Sequence, residues 1–147
     1  MDRSESRIIR SSGDLPWAWT SAYAAFKLGT LEAVTSLRKT RSILLTPIVL
    51  GELLAGFEVG SPRKQNRIEL QEFMRSPRVH TVPITIETSE RYASIYAHLR
   101  SVGRPIPTND LWIAASAMEY SATLLTADSH FLNIPQIIVS HISSELV

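Results

Sequence analysis

The chain has 147 residues, 44% of them hydrophobic and 20% charged, with a formal net charge of +1. That length fits one domain around one core, and so small a net charge is no strong nucleic-acid signal in itself. With no cysteine, disulfide frameworks, thiolate metal sites and cysteine nucleophiles are excluded.

No apolar run approaches the roughly 18 residues that a membrane-spanning helix needs. Met1 to Gly13 alternates charges and serines and lacks the apolar centre of a secretory signal. A soluble, cytoplasmic protein with no membrane partner is the expectation. Basic residues gather at Arg38, Lys39 and Arg41 and at Arg63, Lys64 and Arg67. Such clusters are usually solvated helix faces, and phosphate contact is the sharper alternative.

Residues 1–14 read as a polar tail. Ser21 to Leu28 predicts a short helix through Ala22, Ala25 and Phe26, stopped at Gly29. Leu31 to Lys39 predicts a second. Ile43-Leu44-Leu45 suits a buried strand. Thr46 followed by Pro47 is an N-cap and a first-turn proline, opening a helix to about Phe57. Ser61-Pro62 repeats that signal ahead of a helix carrying Ile68, Leu70, Phe73 and Met74. Val79 to Ile84 reads as a strand. Glu87 to Val102 is the best amphipathic helix, with Tyr92, Ile95, Tyr96, Leu99 and Val102 on one face, and Gly103 ends it. Pro105 and Pro107 stiffen the next loop. Thr108 to about Tyr120 predicts a helix, Thr123 to Thr126 a strand, and Ile137-Ile138-Val139 a last one. Strands alternating with helices predict an α/β fold, a parallel sheet with helices on both faces. Sites in such sheets lie just beyond the C-terminal strand ends.

Three carboxylates draw attention on that ground. Glu52 sits among Ile48, Val49, Ala55 and Gly56 at helical spacing, with no basic residue in reach. It is either a residue on a narrow exposed stripe or a metal ligand or acid/base group, because an uncompensated carboxylate amid apolar groups is costly. Asp110 stands in a first helical turn, where a carboxylate favours the helix dipole without any further role; the alternative is a ligand. Asp128 follows the strand Thr123 to Thr126 and reads equally as a turn residue and as a strand-end site residue. Together the three say more. Clustered carboxylates repel unless a cation sits between them, and their hard oxygens suit Mg2+ or Mn2+. His80, His98, His130 and His141 show no metal-ligand spacing and read as surface or core histidines. The serines form no nucleophile elbow.

The stretch Pro47-Ile48-Val49-Leu50-Gly51-Glu52-Leu53-Leu54-Ala55-Gly56-Phe57 resembles a segment of VapC-type PIN domains. So do Ser76-Pro77-Arg78-Val79, Pro105-Ile106-Pro107-Thr108-Asn109-Asp110-Leu111-Trp112 and Leu124-Leu125-Thr126-Ala127-Asp128-Ser129-His130-Phe131. The resemblance covers roughly Thr20 to Pro135. It implies an α/β sandwich around a parallel sheet of about five strands, and a division into an atypical segment 1–18 and a PIN-like domain 19–147. It also implies an Mg2+-dependent endoribonuclease, with Mn2+ as the other candidate ion. Such a protein is often the toxin half of a toxin–antitoxin pair. It carries over Glu52, Asp110 and Asp128 as metal-binding and catalytic acids and Thr108 as a catalytic helper. The partners implied are RNA, a cognate antitoxin protein and a second copy of the chain. The apolar helix around Glu52 also favours an interface.

The family opens with an apolar strand ending in an aspartate. Here that position is Trp19, and Gly13 and Pro16 disfavour a central strand upstream of it. Asp14 is the nearest acid, five residues too early and beyond Pro16. A domain that holds RNA or an antitoxin without cleaving is therefore the alternative to a working nuclease.

Overall fold

The computed structural model describes residues 42–60, 63–126 and 128–141. The elements, in chain order, are β1 (Ile43–Leu45), α1 (Pro47–Val59), α2 (Arg63–Arg75), β2 (Val79–Thr81), α3 (Ile86–Ser101), α4 (Thr108–Tyr120), β3 (Thr123–Thr126), a 3-10 turn (Ser129–Asn133) and β4 (Ile138–His141). The expected helices at Ser21 to Leu28 and Leu31 to Lys39, the Ser61-Pro62 cap, Trp19 and Asp14 lie outside the described residues. β1 runs parallel to β2, with Ile43 opposite Val79, and β3 runs parallel to β4, with Thr123 opposite Ile138. The fold is α/β with parallel strands, as the alternation predicts. No helix among the described residues is long and apolar enough to cross a membrane.

All three residues of β1 and all four of β3 are buried. Consecutive buried residues mean that both faces of the strand are covered, which is why these runs read as unbroken apolar stretches rather than alternating ones. At the end of β1, Thr46 accepts the Val49 N–H at 3.3 Å and caps α1, with Pro47 in the first turn. Such a cap contributes about 1 kcal/mol. α1 turns Val49, Leu53 and Phe57 into the core, one per turn, and leaves Gly51, Ala55, Gly56 and Val59 exposed. It runs to Val59, past the expected Phe57.

β2 stops at Thr81, short of the expected Ile84. Val82 still donates its N–H to the Leu45 carbonyl at 2.8 Å, but Pro83 has no N–H to continue the ladder. α3 begins at Ile86 behind Thr85 in a capping box with Thr88. After it, Gly103 takes φ +69°, a left-handed turn that side chains disfavour. β4 covers Ile138–His141, one residue later than expected at its start. The core joins Ile43, Leu45, Val49, Ile95, Leu99, Leu124 and Leu125 to the small face of α4, where Ala114, Ala115, Ser116 and Ala117 are buried. Small residues there let α4 lie close to its neighbours, so its N-terminus is placed by packing.

Candidate metal centre

The site is built from the ends of elements. β3 finishes at Thr126, which is fully buried and accepts the backbone N–H of Asp128 at 3.0 Å. Asp128 then caps the 3-10 turn. Its Oδ1 accepts the backbone N–H of His130 at 2.9 Å and stands 3.0 Å from His130 Nδ1. Asp110 comes from the first turn of α4. One ligand atom each from Asp110, Asp128 and His130 lie within 4.8 Å of one another.

Burial pushes the Asp110 carboxyl above the usual carboxylate range. The nearby charges of Asp128 and then Glu52 push it the same way, and His130 opposes them. Glu52, half-buried on α1, accepts a hydrogen bond from Asn109 Nδ2 at 3.1 Å. The residue next to Asp110 thus joins α1 to α4 across the site. Thr108 is the first residue of α4 and is exposed.

Of the residues singled out from sequence, Asp110 and Asp128 come together directly. Glu52 stands beside them, close enough for its charge to act on Asp110. Two residues were missed. Asn109 lies inside a sequence motif, but its bond to a residue 57 positions away depends on helix packing. His130 is a surface histidine, as expected, but the 3-10 turn folds its ring back onto Asp128; spacing along the chain gave no metal-ligand pattern. A turn signal two residues after a strand-end aspartate was the available clue. His80 and His141 are exposed and His98 is half-buried on α3. The Arg63–Lys64–Arg67 cluster is partly committed elsewhere, since Arg63 and Arg67 reach Glu58 at 2.8 and 2.7 Å. Arg104 donates to Asn133 Oδ1 at 2.7 Å, at the far end of the 3-10 turn.

The donor set fits a divalent cation. Two ligands each ~2.1 Å from an octahedral ion stand ~3.0 Å apart when adjacent and ~4.2 Å when opposite. The three ligand atoms lie within 4.8 Å of one another, a limit close to that span. The repulsion that raises Asp110 is also what a cation would relieve.

The PIN domain family profile matches residues 22–137. Ribonuclease VapC2 of Rickettsia felis is 30% identical over 106 residues, covering 71% of this chain and 78% of that protein. Ribonuclease VapC4 of Mycobacterium tuberculosis is 29% identical over 90 residues, covering 61% of this chain and 69% of that one. The structure of VapBC2 from Rickettsia felis, bound to a DNA fragment from its promoter, matches with a TM-score of 0.74 at 27% identity, over 86% of this chain and 98% of that one. DNA-bound VapBC from Salmonella typhimurium matches in fold, with a TM-score of 0.75 at 20% identity, over 87% and 98% of the two chains. On these matches the chain belongs to the PIN domain family, in its VapC group.

Proposed function

We propose that the chain is a divalent-metal-dependent endoribonuclease, the toxin of a pair whose other member is an antitoxin protein. One observation carries the reading. In a chain of the VapC group, Asp110 and Asp128 meet beyond the end of a buried parallel strand, with Glu52 beside them. Glu52, Asp110 and Asp128 would hold Mg2+ or Mn2+. Such an ion lowers the pKa of water and offsets charge on a phosphodiester.

The protein's own groups do the positioning. Thr126 and the 3-10 turn fix the Asp128 carboxylate, and packing of the α4 small face fixes Asp110. Asn109 steadies Glu52. Thr108, exposed as the first residue of α4, would orient an acid or a water. The antitoxin partner is supported by the relatives solved as VapBC complexes, and a second copy of the chain by the exposed Gly51, Ala55 and Val59 of α1.

The test is cleavage of structured RNAs with Mg2+ and with Mn2+, beside the Asp110→Asn chain. Metal-dependent cleavage that the substitution abolishes supports the reading. Cleavage that survives both EDTA and the substitution refutes it. Trp19 favours a second reading, in which the domain binds RNA or antitoxin but cleaves poorly. Trp19→Asp adds a carboxylate where the family has one. On the second reading it raises cleavage about tenfold or more, given that a lost metal-site partner costs ~10–100-fold. No gain, with a folded protein by circular dichroism and an active parent, leaves the working nuclease.

A further inference from the structure

We infer that His130 is itself a ligand of the divalent ion, and that its ring nitrogen tilts the centre from Mg2+ toward Mn2+. The inference rests on reading Asp110 and Asp128 as metal ligands, and it adds a residue of a different donor type to them.

Three features of the turn place the ring. Asp128 Oδ1 takes the backbone N–H of His130 at 2.9 Å, so the main chain at residue 130 is tied to the carboxylate. The imidazole then folds back until Nδ1 lies 3.0 Å from the same oxygen. That separation is the length of a histidine–carboxylate hydrogen bond and equally the ~3.0 Å edge between adjacent ligands of an octahedral ion with ~2.1 Å bonds, so an ion replacing the hydrogen between them leaves both atoms in place. The third ligand atom comes from Asp110, on another element, within 4.8 Å of both. The ring is not recruited by the core, since its side chain is 62% exposed. Its place in the fold is beside two carboxylates, on the open side of the cluster.

Chemistry gives the direction of the preference. Mg2+ demands oxygen and gives up its waters reluctantly. Imidazole nitrogen suits the later first-row ions best, and Mn2+, at the start of that series, still accepts it more readily than Mg2+ does. Carboxylates alone would discriminate little between the two ions; carboxylates with an imidazole favour Mn2+.

The experiment uses the whole purified chain. Mn2+ binding is followed by loss of the free-ion electron paramagnetic resonance signal, and Mg2+ binding by competition against it. Wild type is expected to bind Mn2+ at least ~10-fold more tightly than Mg2+. His130→Ala, which keeps the backbone N–H, should lower Mn2+ affinity about 10-fold or more, at least what losing an outer-shell partner of a ligand costs (~10–100-fold), while Mg2+ affinity moves much less. A spectroscopic arm needs no variant. Pulsed resonance on bound Mn2+ should show coupling to a histidine nitrogen, and His130→Ala should lose it. Mn2+ binding without nitrogen coupling, and unchanged in His130→Ala, overturns the assignment and leaves the acidic centre standing. No binding of either ion by wild type overturns both. Nitrogen coupling that persists in His130→Ala assigns it to another histidine and also defeats the proposal.

Discussion

Asp110 and Glu119 stand at opposite ends of α4, and their surroundings differ in kind. Glu119 faces hydroxyl donors. Thr88 gives it a hydrogen bond at 2.6 Å and Thr85 another at 3.2 Å, while the Thr85 N–H is taken by Thr88 at 2.9 Å. Its carboxylate also lies at the N-terminus of α3, where the helix dipole favours negative charge. Asp110 has the same helix-terminus advantage at the start of α4, yet its carboxyl is pushed up by burial, Asp128 and Glu52. One end of the helix is a saturated joint between α3 and α4. The other is a cluster whose charges oppose one another, an arrangement that costs stability unless something cationic joins it.

Breaking the second cluster should have the largest effect. Asp110→Asn is expected to reduce RNA cleavage by about two orders of magnitude or more, beyond the ~10–100-fold that losing a mere hydrogen-bonding partner of a metal ligand costs. Stability should move the other way in metal-free protein. A carboxyl whose folded pKa is raised destabilises the fold when ionised. That penalty is absent below the ordinary carboxylate range and complete above the raised value. Thermal unfolding in EDTA should therefore show Asp110→Asn melting above wild type at pH 7, with the gap closing as pH falls. The lost helix-dipole contribution acts against this and narrows the gap. A variant less stable than wild type at pH 7 would mean that the cluster is not strained.

Adding metal sharpens the same contrast. An ion that binds only the folded chain stabilises it by about 2.7 kcal/mol at a hundredfold excess over its dissociation constant. Wild type should rise in Tm with Mn2+ or Mg2+ and return with EDTA, and Asp110→Asn should respond weakly. Equal responses would place the bound ion elsewhere.

The saturated joint should behave in the opposite way. Thr88 is fully buried, and Thr88→Val removes its donation to Glu119 and its acceptance from the Thr85 N–H. The expected cost is about 1 kcal/mol or somewhat more, because the half-buried Thr85 N–H and Glu119 carboxylate each lose a partner. Urea unfolding would measure it. Cleavage per folded molecule should be unchanged; a loss there would mean that the α3–α4 joint also sets the geometry of Asp110.

The comparison also shows what the chain made legible. β1, β3, the Thr46–Pro47 cap and α4 could be read because each follows from local rules: buried apolar runs, a capping residue before proline, helical spacing. Asp110 and Asp128 could be read because a strand end and a helix start are places where α/β folds put chemistry. The Thr85–Thr88–Glu119 joint could not, since it closes between residues 31 and 34 positions apart. His130 escaped for a different reason. Its distance from Asp128 in sequence is short, but only the 3-10 turn bends its ring toward the carboxylate rather than away. The end of β2 was misplaced because Val82 keeps one ladder bond before Pro83 ends the pairing.

Glu52 lies between the two extremes, and the smallest expected effect tests it. Its carboxylate adds to the repulsion on Asp110 and is also a hydrogen-bond acceptor of Asn109 Nδ2 at 3.1 Å. Asn109 is exposed, so Asn109→Ala should leave folding intact. A solvent-accessible bond of this type is worth about 1 kcal/mol, which corresponds to roughly a fivefold fall in cleavage if Asn109 serves to aim Glu52. Asn109→Asp should do more harm at low metal, because it replaces a donor with a second negative charge against Glu52, and excess Mn2+ should recover part of the loss. Glu52→Gln supplies the reference. If it cuts cleavage strongly while Asn109→Ala does nothing, Glu52 matters and its other contacts are enough to place it. If neither changes cleavage or Mn2+ affinity, Glu52 belongs with Glu119 as a structural carboxylate, and the centre reduces to Asp110, Asp128 and His130.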